Sequence, residues 1–129
     1  MAHTIKVKIY YEDTDAGGVV YYANYLRYME RARMEFLADN GIDIVRLHRE
    51  GVVFMVVHVD ISYKSPARLG DILDITTGII EIKQASLKIS HRVMREGTPI
   101  ADAVVTLASV GPDGKPCRLP EKIKLLSNG

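Results

Sequence analysis

Carboxylates, tyrosines and glycines crowd one stretch of this sequence, Tyr10 to Arg33, which reads YYEDTDAGGVVYYANYLRYMERAR. Asp13 and Asp15 flank Thr14 and precede Gly17 and Gly18, and six of the seven tyrosines lie between residues 10 and 28. An ionised aspartate can attack an electrophilic carbon or take a proton from water. Glycines permit the positive φ of a tight turn. A carboxylate held near the start of a helix meets free backbone N–H groups and the positive end of the helix dipole. Plainer roles fit the same residues. Aspartate is common in turns, and tyrosine packs as a large amphipathic ring.

Other chemistries find little support. Asp13, Asp15 and Gly18 match positions 1, 3 and 6 of a calcium-binding EF-hand loop, but Gly17 offers no side chain at position 5 and Asn24 replaces the bidentate glutamate at position 12. No Gly-x-Ser-x-Gly elbow occurs. Gly111 to Pro116 contains a Gly-Lys pair without phosphate-loop spacing and reads as a turn. His3, His48, His58 and His91 never stand four apart on one helix, so no metal site is expected. His58 and His91 fall on strand patterns and read as structural. Cys117 is the single cysteine, which excludes an intrachain disulfide and reads as an incidental thiol.

The whole composition bounds the rest. A chain of 129 residues fits one domain and buries about two-thirds of its unfolded surface. The chain is 47% apolar and 26% charged, within the globular range and outside the disordered one. Lys+Arg is 17 against Asp+Glu 16, a net charge of +1, which argues against a general nucleic-acid or anionic-membrane binder. No apolar run approaches the roughly 18 residues of a membrane span. Residues 1–8 are mixed polar and charged, unlike a signal peptide. A cytoplasmic protein of a reducing compartment is expected.

The elements that must position these residues follow from periodicity. His3 to Glu12 alternates weakly and reads as a strand that ends in the Asp13–Gly18 turn. Leu26, Met29, Ala32, Phe36 and Leu37 recur at helical spacing, giving a helix of about 15 residues, with Asn24 as N-cap and Asn40-Gly41 as the stop. Glu30 and Arg33, three apart, fit a surface ion pair. Ile44 to Arg49 reads as a second short helix. Strands follow at Val57–Tyr63, with Val57, Val59, Ile61 and Tyr63 on one face, then at Asp71–Ile82, Ser86–Arg95 and Ile100–Val110. Pro120 to Leu126 fits a short strand or a helical turn. With no linker or repeat, residues 1–129 form one α+β domain, a helix against a curved antiparallel sheet. One helix covers one face only, so the open edge and the other face call for an oligomer.

The motif resembles a known family. Asp13-Thr14-Asp15, Gly18-Val19-Val20-Tyr21, Asn24-Tyr25 and Glu30-x-Ala32-Arg33 are similar to the signature of hotdog-fold acyl-CoA thioesterases, closest to the 4-hydroxybenzoyl-CoA thioesterase family with its Tol-Pal-associated members. Tyr63 to Arg68 resembles a later segment of that family, and the likeness extends over the whole chain. It implies hydrolysis of acyl-CoA by a homodimer or homotetramer whose active sites lie at the dimer interface. Coenzyme A is then part of the substrate and no resident cofactor is expected. By similarity Asp15 is the catalytic carboxylate, and two roles stand open to it, attack on the thioester carbonyl or activation of water. Tyr22 stands where Tol-Pal relatives carry histidine, whereas the hydroxybenzoyl type has tyrosine; its hydroxyl can donate to the thioester or orient Asp15. Asn24 orients Asp15 or caps the helix. A backbone N–H near Asn24 or in Val53–Val56 would serve the oxyanion. Met55 and Val56 fall where the acyl pocket is lined, and Lys64, Arg68 and Lys83 are candidates for the coenzyme A phosphates. A second basic position of the hydroxybenzoyl type is Ala85 here. Two other readings of the fold differ in class. A dehydratase needs a catalytic histidine, and none lies between Thr4 and Leu47. A non-catalytic acyl-CoA-binding or scaffold module has no need of Asp15.

Overall fold

The computed structural model describes residues 2–126; Met1 and residues 127–129, which the expected domain also takes in, lie outside the described residues. Along the chain run β1 (Ala2–Lys8), a single 3-10 turn (Tyr11–Asp13), α1 (Asn24–Asp39), α2 (Ile44–Arg49), β2 (Val53–Tyr63), β3 (Ile72–Ile82), β4 (Ser86–Arg95), β5 (Thr98–Val110) and α3 (Glu121–Lys124). All strand pairs are antiparallel, in the order β1-β3-β4-β5-β2. With α1 packed across one face, this is the α+β hotdog arrangement.

Alternation in β4 and β5 builds the floor of the core. Leu87, Ile89, His91 and Val93 are buried on β4, and Ala103, Val105, Leu107 and Ser109 on β5, as a period of two demands. Helix α1 lays Met29, Ala32, Phe36 and Leu37 on that floor. Tyr25 and Tyr28 are also buried, whereas Leu26 is exposed. Positions 25, 28, 29, 32 and 36 share one helical face, and position 26 lies about 100° around it. The helix ends at Asn40, whose side-chain amide donates to the Phe36 carbonyl at 2.7 Å, and Gly41 follows at φ +79°.

Two expectations need correction. Strand β1 stops at Lys8 rather than Glu12. The Asp13 carboxylate accepts from the Tyr10 amide at 2.8 Å while the Asp13 amide donates to the Tyr10 carbonyl at 3.0 Å, and these local bonds outcompete the ladder. Val57 does not share the inward face of Val59 and Ile61. A bulge between Val56 and His58 sets an extra residue on β2, and Val57 is 60% exposed. The C-terminal segment resolves to the helical turn α3.

The sheet has two edges, β1 and β2. Met55, Val56 and Val57 give the β2 edge an exposed apolar run, the kind of edge that pairs with another chain.

Candidate active site

Asp15 stands on the loop between β1 and α1. That loop is a small hairpin: the Asp15 amide donates to the Val19 carbonyl at 2.9 Å, and the Gly18 amide to the Asp15 carbonyl at 3.0 Å. Gly18 has φ +76°, a conformation glycine adopts without strain. Val19 bridges Arg68 in turn, which ties the hairpin to the segment after β2. The Asp15 carboxylate accepts from the Gly17 amide at 2.8 Å and is otherwise exposed.

Asn24 fastens this loop to the helix. Its side-chain amide donates to the Asp13 carbonyl at 2.9 Å, which also accepts from the Tyr21 amide at 3.0 Å. The capping expectation fails: Ala23 is the N-cap, with no side-chain cap, and Asn24 is already helical. Its side chain therefore reaches back to the loop instead of forward to the helix. The amides of Tyr22 and Ala23 make no hydrogen bond among the described residues. They stand at the positive end of α1, close in sequence to Asp15, and point to the kind of donor an oxyanion requires.

A recess of about 290 Å³ lies beside this loop, walled by Val20, Tyr22, Tyr25, Tyr63, Lys64 and Pro66. Tyr22 is exposed, its ring 4.7 Å from that of Tyr21 and 6.4 Å from that of Tyr63. The Tyr63 hydroxyl donates to the Tyr22 carbonyl at 3.2 Å. Burial raises the pKa of Tyr63 and of Tyr25, so both stay protonated at neutral pH. The Tyr25 hydroxyl accepts from the Ala67 amide at 3.1 Å.

The turn from Pro66 to Asp71 is clamped by one carboxylate. Oδ2 of Asp71 accepts from the Arg68 amide and from Nη1 of Arg95, each at 2.8 Å, and the same Nη1 donates to the Pro66 carbonyl at 3.1 Å. Burial pushes the Asp71 carboxyl up, but these hydrogen bonds and the two arginine charges outweigh it and hold the pKa below the usual range. Arg68 is thereby fixed at its backbone and exposed at its side chain. Lys64 lies 3.8 Å from Asp102.

A second, more apolar cavity of about 250 Å³ opens at the far end of α1, between Arg33, Met34, Leu37, Ile44, Phe54 and Val56. Val56 lines it. Met55 does not, because strand neighbours alternate faces and Phe54 and Val56 take the cavity side. Lys83, in the β3–β4 turn at this same end, donates its amide to Ser86 at 2.8 Å and holds Nζ 3.5 Å from Glu81. The candidate residues thus form two groups. Asp15, Tyr22, Asn24, Lys64 and Arg68 gather at one end of the sheet, and Met55, Val56 and Lys83 at the other. Met55 and Tyr63, eight residues apart on β2, are separated by about 26 Å at 3.3 Å per residue. The helical wall of the cavity escaped the sequence reading. Its signal was the spacing of Arg33, Met34 and Leu37, which puts them on the β2 side of α1. Nor do Glu30 and Arg33 form the expected surface pair: no ion pair joins them among the described residues. Arg33 is partly buried, and that burial pulls its pKa down against the opposing charge of Glu30.

This loop, helix and sheet have known counterparts. A model of the thioesterase-like superfamily matches residues 10–125. The chain belongs to that superfamily. It is 42% identical to the acyl-CoA thioester hydrolase YbgC of Escherichia coli O157:H7, over 91% of this chain and 89% of that one. It is 39% identical to the acyl-CoA thioesterase YbgC of Haemophilus influenzae, over 92% and 88%. Among solved structures, a probable thioesterase from Bartonella henselae superposes with a TM-score of 0.88 at 34% identity, covering 93% of this chain and all of that one. A 4-hydroxybenzoyl-CoA thioesterase bound to 4-hydroxybenzoyl-CoA also superposes at 0.88, with 25% identity over 98% and 99%. Among the described residues no helix is long and apolar enough to cross a membrane.

Proposed function

We propose that this protein hydrolyses acyl-CoA thioesters with Asp15 as nucleophile, at a site that two copies complete between them. The observation that carries this reading is an exposed carboxylate held on the short loop that leads into α1, whose first amides, those of Tyr22 and Ala23, are free among the described residues. A thioester carbonyl needs both. One Asp15 oxygen bonds to the carbonyl carbon, and the carbonyl electrons move onto its oxygen. An amide donor stabilises that oxyanion by about 3–4 kcal/mol. Collapse expels coenzyme A as thiolate and leaves a mixed anhydride, which water splits to the free acid and the restored carboxylate. Direct attack suits the pair better than general-base catalysis, since a carboxylate is a weak base toward water and a thiolate leaves readily. Tyr22 supplies a hydroxyl donor beside the thioester and Asn24 holds the loop at the helix.

The two-copy arrangement follows from the separated groups. If two β2 edges pair antiparallel about a two-fold axis, the Tyr63 end of one copy meets the Val53 end of the other. Asp15, Tyr22, Lys64 and Arg68 of one copy then face Met55, Val56, the apolar cavity and Lys83 of the other. In this reading Lys64, Arg68 and Lys83 receive the coenzyme A phosphates and the cavity takes the acyl group. The free thiol of Cys117 fits a reducing compartment, and we place the enzyme in the cytoplasm.

A thiol-release assay with acetyl, butyryl, hexanoyl, palmitoyl, benzoyl and hydroxybenzoyl thioesters of coenzyme A tests the reading, with Asp15→Asn in parallel. Turnover by the wild type and a loss of at least about a hundredfold in the variant are expected. Near-wild-type turnover by Asp15→Asn would remove Asp15 from its role. No turnover with any thioester by a folded oligomer would leave the binding module.

A further inference from the structure

Helix α1 meets β2 at both ends of the strand. At one end the Tyr25 and Tyr63 rings lie 5.6 Å apart; at the other, Leu37 shares the apolar cavity with Val53. The midpoint of residues 25–37 is Arg31, and that of residues 53–63 is His58. If two β2 edges pair about an axis near His58, that axis passes beside the turn of α1 that carries Glu30 and Arg33. Both side chains line the cavity on the β2 side of the helix, together with Val53, Phe54 and Val56.

Neither has an ion-pair or hydrogen-bond partner among the described residues of its own chain. Among the described residues Glu30 and Arg33 make no ion pair and no side-chain hydrogen bond, with each other or with a third group. A guanidinium that is partly withdrawn from water and left unpaired is costly, and the desolvation felt by Arg33 agrees with such a position. An isologous dimer sets residue i of one copy against residue j of the other, and j against i. One acid and one base three positions apart are self-complementary under that operation.

We propose that, where two β2 edges pair, two reciprocal Glu30–Arg33 ion pairs across the two-fold axis fix the register of the junction. The proposal rests on the reading that two β2 edges pair. It adds the groups that choose the register: a slip of one residue along β2 moves each strand by about 3.3 Å and draws the charged pairs apart. Because the thioester site is split across the junction, the same pairs align Asp15 of one copy with the cavity of the other.

Charge reversal tests this with a self-contained control. Glu30→Arg and Arg33→Glu are purified separately, checked for folding by circular dichroism, and examined by sedimentation equilibrium together with wild type. Each single variant sets like charges against each other twice in its homodimer, and its dissociation constant should rise at least about a hundredfold, in line with the coupling of close charge pairs at interfaces. Mixing the two variants puts arginine against glutamate at both contacts and should restore a heterodimer of near-wild-type affinity, with thioesterase activity returning alongside. If both variants dimerise as tightly as wild type, the ion-pair proposal falls and the β2 junction stands. If both dissociate and the mixture does not recover, the substitutions act through local damage and the proposal falls again. A monomeric wild type with full activity would remove the β2 junction itself.

Discussion

The backbone amide of Gly17 donates to Oδ1 of Asp15 at 2.8 Å, and it is the only hydrogen bond that steers this carboxylate among the described residues. The glycine is chosen for space as much as for its turn. A Cβ at position 17 would lie 3.3 Å from the same Oδ1, closer than a relaxed contact. Gly17→Ala should therefore fold normally and push the carboxylate aside by a few tenths of an ångström. Positioning errors of about 1 Å cost near a hundredfold, so a fall in kcat of about tenfold is expected, with KM little changed. Steady-state kinetics on one well-turned-over thioester reads both. An unchanged kcat would mean that the Gly17–Asp15 bond does not set the attacking geometry.

Tyr25 anchors the other side of the site. Its buried hydroxyl accepts from the Ala67 amide, one residue from the Val19–Arg68 bridge. Tyr25→Phe leaves that amide without an acceptor in a place water does not reach. A loss of about 1–3 kcal/mol in stability is expected, measured by urea unfolding at a fixed protein concentration. The clamp on Pro66 by Arg95 and Asp71 keeps the turn in place, so the damage should appear in stability more than in catalysis.

These two residues also mark how far the sequence could be read. The Asp15 loop was legible as a turn from its glycines and aspartates, and as a candidate site only through the family motif that runs across it. The helix was legible from Met29, Ala32 and Phe36, and β3, β4 and β5 as strands from their residue patterns, but the order of strands in the sheet was not. Tyr25 and Tyr28 were harder, since an amphipathic ring carries no fixed inside-or-outside signal; only their place in the fold separates them from exposed Tyr22. The bulge at Val57 and the backward reach of Asn24 are tertiary choices with no local pattern. The separation of Met55, Val56 and Lys83 from Asp15 was invisible for another reason. In the proposed dimer, neighbourhood at the site is a property of two chains, and the sequence names residues without saying which copy supplies them.

His91 gives the fold a pH limit. It is fully buried, and Nδ1 shares a hydrogen bond of 3.1 Å with the Thr77 hydroxyl while Nε2 has no partner. Burial, helped by the nearby charge of Arg33, lowers its pKa from 6.5 to about 3. Below pH 6.5 the unfolded chain binds a proton at this residue that the folded chain refuses, so stability falls as pH falls until the folded form also titrates near pH 3. Between pH 7 and pH 5 the loss from this residue alone is about 2 kcal/mol. His91→Gln keeps a polar group beside Thr77 and has no proton to take up. Urea unfolding at pH 7 and pH 5 should show the wild type losing about 2 kcal/mol more than the variant over that interval. Equal losses would assign the acid sensitivity to other groups.

The proposed division of the site between two copies predicts complementation between two inactive proteins. Asp15→Asn removes the carboxylate at one end of the sheet, and Ile44→Trp fills the apolar cavity at the other end, where Ile44 is half-buried and forms part of the wall. Each variant alone should be nearly inactive toward a thioester whose acyl group needs the cavity. In a mixed dimer one site combines both defects, and the other combines Asp15 from the cavity variant with the open cavity of the Asp15→Asn copy. Random exchange of subunits makes half of the dimers mixed, and half of their sites intact. Activity should recover to about a quarter of the wild-type value per site, as expected for an isologous dimer with shared sites. Recovery must follow the time course of subunit exchange and vanish when exchange is blocked by cross-linking before mixing. A mixture that stays inactive after complete exchange would place carboxylate and acyl cavity in separate events, and would require the acyl group to bind in the tyrosine-walled recess beside Asp15 within one chain.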